Sequence, residues 1–152
     1  MSGRVTEMSP SKVDAPLVRI GVVAEQIGIS ERTVRYYEEY GLVSPSAYSR
    51  GGARLYDEKA ISRVSRIRTL QSLMGFNLEE IKDILKAEDH LENIRTAYRK
   101  ASKPKKELLE AAMNILQDLQ AKVNEKQSRL QEFQDDLQSR LERIKAFISD
   151  QQ

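Results

Sequence analysis

Apolar and polar positions alternate along this chain in a way that changes three times, and each change predicts a different element. Ile20, Val23, Ala24 and Ile27 recur at helical spacing and stop at Gly28, which predicts a first short helix with a glycine C-cap. Ile29-Ser30 leaves room only for a tight turn, with Ser30 placed to cap a second helix from Glu31 to about Tyr40, closed by Gly41. On that helix Val34 and Tyr37 form the inward pair, and two short helices joined so tightly make a helix-turn-helix pattern. From Ser44 to Tyr56 the helical period is lost. Pro45 stops a helix, Gly51-Gly52 supplies a turn, and Tyr48 on one side with Leu55 and Tyr56 on the other predict a small β-hairpin, a wing. Asp57 then caps a third helix whose stripe is Ile61, Val64, Ile67, Leu70 and Met74, ended by Gly75. Leu78, Ile81, Ile84 and Leu85 predict a short fourth one.

Beyond residue 104 the period lengthens into heptads. Leu109, Leu116, Val123, Leu130, Leu137 and Ile144 stand seven apart, and Ala112, Leu119, Phe133 and Phe147 lie three residues after members of that series. These are the a and d positions of a coiled coil, with Lys126 and Arg140 as polar interruptions at d. A helix over 105–149 would be roughly 68 Å long, too long to bury its stripe on an 85-residue head, so a second copy of the chain is the expected partner. The predicted dimer seam is Leu109, Ala112, Leu116, Leu119, Val123, Leu130, Phe133 and Leu137. Leu91, Ile94 and Tyr98 allow a linker helix over 87–104, which Pro104 should end. Residues 1–17, with two prolines and no periodicity, are expected to form a flexible arm, and 18–86 the head.

Composition narrows the function classes. Of 152 residues, 39% are hydrophobic and 32% charged, and no run of about 20 apolar residues could span a membrane, so the expectation is a cytoplasmic protein with no membrane partner. The absence of cysteine removes thiolate metal sites, disulfides and thiol nucleophiles, and His90 is the only histidine; no metal, cofactor or enzymatic activity is expected. Glu79-Glu80 are adjacent on a helix and point apart, unlike a catalytic carboxylate pair. The net charge of +2 is unevenly placed. Between Glu31 and Arg68 eight basic side chains face five acidic ones, whereas from Ala87 onward twelve of each balance. A basic head on a neutral spacer suits a nucleic acid partner.

The candidate recognition residues follow from position. Arg32 and Thr33 occupy the first turn of the second helix, where a helix entering the major groove end-on presents side chains to base edges; Arg pairs bidentately with guanine and the Thr methyl can contact thymine. Arg35 and Tyr36 suit phosphates, which fix position rather than sequence. Arg50 and Arg54 flank the Gly-Gly turn, with Tyr56 just beyond, where two guanidinium groups on a narrow ribbon can straddle a phosphate strand. Glu38 and Glu39 favour the rival reading, a solvated face of Arg-Glu pairs.

Residues 20–85 resemble the MerR family of bacterial transcription regulators. The matching pieces are Arg35-Tyr36-Tyr37-Glu38, Gly41-Leu42-Val43 with Pro45, Gly52-x-Arg54-Leu55-Tyr56, and Gly75-Phe76-x-Leu78-Glu79-Glu80-Ile81. The resemblance implies a mainly α fold: a winged helix-turn-helix head followed by a dimerisation helix that pairs as an antiparallel coiled coil. It implies a homodimer on a palindromic promoter operator, double-stranded DNA bent and untwisted on binding, and RNA polymerase as a further partner. Carried over, Arg32 and Thr33 resemble base-reading positions, and Arg35, Tyr36, Tyr37, Arg54 and Tyr56 resemble backbone-clamping ones. Two departures stand out: Tyr48 occupies a wing position where many members have Arg, and Ala53 one that is usually aromatic, which shifts weight towards Arg50. The cysteines that serve metal- and redox-sensing members are absent. A ligand site between the Leu91–Tyr98 linker and the coiled coil, near His90, Arg95 and Arg99, competes there with plain packing and solvated charge. For the whole chain the alternative is a coiled-coil adaptor whose head binds protein; a steep salt dependence of binding would mark DNA instead.

Overall fold

The computed structural model describes residues 16–103 and 105–152. Most of the arm expected over 1–17, and the helix break expected at Pro104, lie outside the described residues. The chain divides into two compact units between Leu85 and Lys86. In the first, β1 (Val18–Arg19) leads directly into α1 (Ile20–Ile27) and α2 (Glu31–Glu39). The ribbon β2 (Ala47–Tyr48) and β3 (Arg54–Tyr56) comes next, and then α3 (Glu58–Arg68). The strands form an antiparallel sheet in the order β1-β3-β2.

Local chemistry sets the boundaries of these elements. Gly28 adopts φ 76°, and its N–H and that of Ile29 both reach the Ala24 carbonyl at 2.8 and 3.0 Å, closing α1 as the sequence predicts. That left-handed turn favours a residue without a Cβ, and an added one would sit 3.1 Å from an Arg68 nitrogen. The Ser30 hydroxyl accepts from the Thr33 N–H at 3.1 Å and caps α2. Gly41, at φ 80°, ends it, with the Leu42 N–H returning to the Tyr37 carbonyl at 3.0 Å. Asp57 caps α3 by accepting from the Ala60 N–H at 2.8 Å.

Two features differ from expectation. The wing has a third strand: Val18 pairs with Tyr56 and Arg19 with Leu55, so the two residues ahead of α1 are stitched to the second strand of the ribbon. Two residues are too short to carry an alternation signal, and the pairing is fixed by tertiary proximity. The second difference concerns the stripe of α3. A π-helical turn over Thr69–Leu73 adds one residue to the helix, with the Met74 N–H bonding to Thr69 and the Phe76 N–H to the Leu70 carbonyl. The extra residue rotates the side chains beyond it. Val64, Ile67 and Leu70 are buried as expected, but Met74 faces solvent, Leu73 is 82% exposed, and Phe76 takes the core position instead.

The core of this unit is Val23 and Ala24 of α1, Val34 and Tyr37 of α2, Leu42, Val43, Tyr56, then Ala60, Val64, Ile67 and Leu70, with Phe76, Ile81, Ile84 and Leu85 closing it. At roughly 1.5–3 kcal/mol for each large apolar side chain, this cluster is the main force holding the head together.

The fourth helix and the helical stretch expected after it are one element, α4 (Leu78–Lys100). Asn77 opens it with a capping box: its side chain accepts from the Glu80 N–H at 2.8 Å, while Glu80 accepts from the Asn77 N–H at 3.0 Å. Nothing between Leu85 and Leu91 breaks a helix, so the apolar stripe fades while the helix continues. The second unit contains the remainder of α4 and then α5 (Lys106–Asp150), 45 residues with none buried. Leu109, Leu116, Val123, Leu130, Phe133 and Leu137 are exposed along it, and Ala112 and Leu119 partly so. Among the described residues no helix is long and apolar enough to cross a membrane.

Candidate nucleic-acid interface

The candidate residues of α2 separate by face. At 100° per residue, Val34 and Tyr37 point inward and Arg32, Arg35 and Tyr36 fall on the opposite side. All three of the latter are exposed. Arg35 approaches Glu31 at 3.8 Å, a surface pair one turn apart that is too weak and too exposed to hold it. The Thr33 hydroxyl lies 2.8 Å from that of Ser30, so the helix cap occupies it and the methyl is what remains for a base. Tyr36 stacks obliquely on Tyr40 with ring centroids 6.4 Å apart, and the Lys82 ammonium of α4 stands 5.7 Å from the Tyr40 ring centre. This row extends the exposed face of α2 towards α4. Lys82 and Tyr40 carry no separate sequence signal, because their meeting depends on how α4 packs behind α2.

The wing loop, Ser49 to Ala53, is closed from inside. The Ser49 N–H bonds to the Ala53 carbonyl at 2.8 Å, the Gly52 N–H to the Ser49 carbonyl at 2.9 Å, and the Ala53 N–H to the Ser49 hydroxyl at 3.0 Å. Gly52 adopts φ 82° here, whereas Gly51 needs no such freedom. Arg50 is exposed at the tip, and Tyr48, 64% exposed, sits directly across the ribbon from Arg54. At its base the wing is tied to α3, where the Asp57 N–H donates to the Ser46 hydroxyl at 2.9 Å.

Two candidates require correction. Tyr37 is 2% exposed and its hydroxyl donates to Gln71 Oε1 at 2.7 Å; Tyr56 is fully buried and its hydroxyl donates to Glu38. Neither has surface left for a phosphate, so neither clamps the DNA backbone directly. Burial pushes both phenols above their ordinary pKa. For Tyr37 the nearby Arg68 opposes the shift, whereas for Tyr56 the hydrogen bond to Glu38 adds to it.

Glu38, which by sequence weighs against a DNA surface, is tied up within the head. Glu38 accepts from the Tyr56 hydroxyl with one carboxylate oxygen and from Arg54 Nε with the other, at 2.7 Å. It thereby joins α2 to β3. The Glu38 side chain is only 9% exposed, while that of Arg54 remains 48% exposed. The basic window is likewise less uniform than its count. Arg63 donates to the Leu42 carbonyl at 2.6 Å and Arg68 to the Ile27 carbonyl, each finishing the exit of a helix. The basic residues left facing outward on α2 and the wing are Arg32, Arg35, Arg50 and Arg54.

The groups considered for a ligand are strung along α4: His90 and Tyr98 are exposed, Arg95 lies 3.9 Å from Glu92, and Leu91 and Ile94 are half-buried. Among the described residues no group of three or more His, Cys, Asp or Glu could hold a metal ion.

The profile of the MerR HTH family regulatory proteins matches residues 18–88. The HTH-type transcriptional regulator YfmP of Bacillus subtilis (strain 168) is 31% identical over 123 residues, covering 80% of this chain and 88% of that protein. The mercuric resistance operon regulatory protein of Bacillus cereus is 37% identical over 67 residues, 44% of this chain and 50% of its own length. In architecture the chain is similar to the crystal structure of a putative MerR family transcriptional regulator from Listeria monocytogenes, with TM-score 0.52, 22% identity and coverage of 82% and 83%. A likeness to YfmP that extends past the head, on the winged helix-turn-helix frame built above, means that this chain belongs to the MerR family and is a transcription regulator of that type.

Proposed function

We propose that two copies of this chain, paired through α5, bind one palindromic promoter operator in double-stranded DNA and regulate transcription by distorting it. The observation that carries this reading is the joined surface of α2 and the wing. Arg32 and Thr33 read base edges from the first turn of α2. Arg35 and Tyr36 contact phosphates beside them, and Arg50, Arg54 and Tyr48 grip the backbone from the ribbon. Two heads on one spacer match a two-fold operator, because a symmetric protein reads a symmetric site. The protein acts by binding rather than by catalysis, in the cytoplasm where the promoter and RNA polymerase are.

The α5 stripe supports the pairing. A 45-residue helix with its a and d side chains in water leaves apolar surface that a second copy would remove from solvent. The test joins both halves of the reading. Affinity for a duplex recovered by selection from genomic fragments should fall with salt by a log–log slope of about 0.9 per phosphate contact. Leu116→Asp with Leu130→Asp should give monomers by sedimentation that no longer hold that duplex. A flat salt response would eliminate the DNA reading, and dimers that survive both aspartates would show that α5 is not the seam.

A further inference from the structure

We infer that Glu38 is a positioning residue for DNA binding, which orients the Arg54 guanidinium towards the phosphate backbone and fixes the wing at one angle to α2. The inference rests on the proposal that the head binds DNA through α2 and the wing.

A carboxylate close to a surface meant for a polyanion is a liability unless its charge is compensated. Here both oxygens are engaged, one by the Tyr56 hydroxyl and one by Arg54 Nε at 2.7 Å, and the side chain is nearly removed from solvent. A guanidinium carries five N–H donors in a rigid fork, so a carboxylate that meets its Nε edge leaves donors over while fixing the plane in which they point. The exposure that remains on Arg54 is consistent with that division: the inner edge belongs to Glu38 and the outer end is available. An arginine already held in place has less rotamer freedom to lose on meeting a phosphate. Because β3 pairs with β2, Tyr48 facing Arg54, the same anchor sets where the wing tip and Arg50 stand relative to Arg32 on α2.

The experiment is a double-mutant cycle on the full chain, read by titration of the labelled, selected duplex at several salt concentrations. Arg54→Ala should weaken binding and lower the salt slope by about 1.8, the loss of one phosphate contact in each half-site of the operator. Glu38→Gln removes the charge but keeps the shape, and should weaken binding roughly ten- to hundredfold, the scale of one charge-assisted hydrogen bond. Its slope should fall towards that of Arg54→Ala. In the Arg54→Ala background the same change should alter affinity less than about twofold, because coupled residues are not additive. Tyr56→Phe, which keeps the buried ring, should give a smaller loss that also vanishes without Arg54, and it serves should Glu38→Gln not fold. An equal loss in both backgrounds would reduce Glu38 to general stability, and tighter binding by Glu38→Gln would make it a plain repulsive charge; either result overturns the inference while leaving the DNA reading intact. If Arg54→Ala binds like the unaltered protein, the Arg54 contact is absent and the inference falls, while the DNA reading still stands or falls on its own salt response.

Discussion

At the scale of single residues, the proposed interface divides the head into side chains that would face the duplex and side chains that would aim them. Arg32 lies in the first turn of α2, whereas Arg35 lies one turn on from Glu31 and pairs with it. Arg32→Ala should therefore relax preference at one base pair in each half-site at a cost of about 1–3 kcal/mol, and Arg35→Ala should weaken binding to all sequences alike. Titrating a panel of single-base operator variants separates the two, and a selective loss with Arg35→Ala would reverse the assignments. Tyr37 makes the complementary case. Tyr37→Phe removes the hydrogen bond to Gln71 and should lower stability by about 1 kcal/mol in denaturant unfolding, with DNA affinity unchanged once the protein is folded. A loss of affinity with stability intact would return Tyr37 to the DNA surface. The helical period of Arg35-Tyr36-Tyr37-Glu38 was enough to place Tyr37 inward with Val34, and Tyr36 outward, but the part played by Glu38 was not legible. Adjacent helix positions differ by 100°, which separates the two tyrosines, whereas Glu38 gains its partners only because β3 packs beside α2.

At the scale of elements, caps and turns carry much of the specification. Asp57 shows how this registers in pH. Its carboxyl is held below the usual carboxylate range, first by the Ala60 N–H and next by its hydrogen bonding with Ser46. A carboxyl with a folded-state pKa below its unfolded one contributes stability that is fully present above the unfolded value, about 3.9, and is lost as pH falls through the folded value. Thermal melts of the unaltered protein should therefore decline below about pH 4, and Asp57→Asn, which caps without titrating, should flatten that part of the profile. An unchanged acid limb in the variant would place the sensitivity in another group. The third strand and the π-helical turn belong to this scale too. Val18-Arg19 becomes a strand only because β3 passes beside it, and Met74 leaves the core because one residue is inserted into the helical count between Thr69 and Leu73. Neither departs from the local rules of its segment, and for that reason neither is visible in them.

At the scale of the whole molecule, the proposed dimer makes a geometric demand that the helix bounds sharpen. If two α5 helices run antiparallel and overlap over Lys106–Asp150, positions equidistant from Ser128 face each other. Val123 and Phe133, five residues on either side of it, then meet across the seam, a small side chain against a large one. The chain has no cysteine, so Val123→Cys together with Phe133→Cys should form disulfide-linked dimers on mild oxidation, visible by gel under non-reducing conditions, while neither single change does. Cross-linking by Val123→Cys alone would instead indicate parallel helices.

Periodicity, caps and glycines were enough to determine that this chain makes a helix-turn-helix, a ribbon and a long heptad helix, because each of those signals acts within a few residues and survives without context. The order and spacing of its short motifs were enough to suggest the family. What only the tertiary structure decided is how charge is used. Arg63 and Arg68 finish helices, Arg54 is shared with Glu38, and Arg32, Arg35 and Arg50 remain outward, although the sequence writes all six as the same letter. The physical reason is that a guanidinium reaches several ångströms from its backbone, so its partner is chosen by whichever carbonyl or carboxylate the packed core brings within that reach.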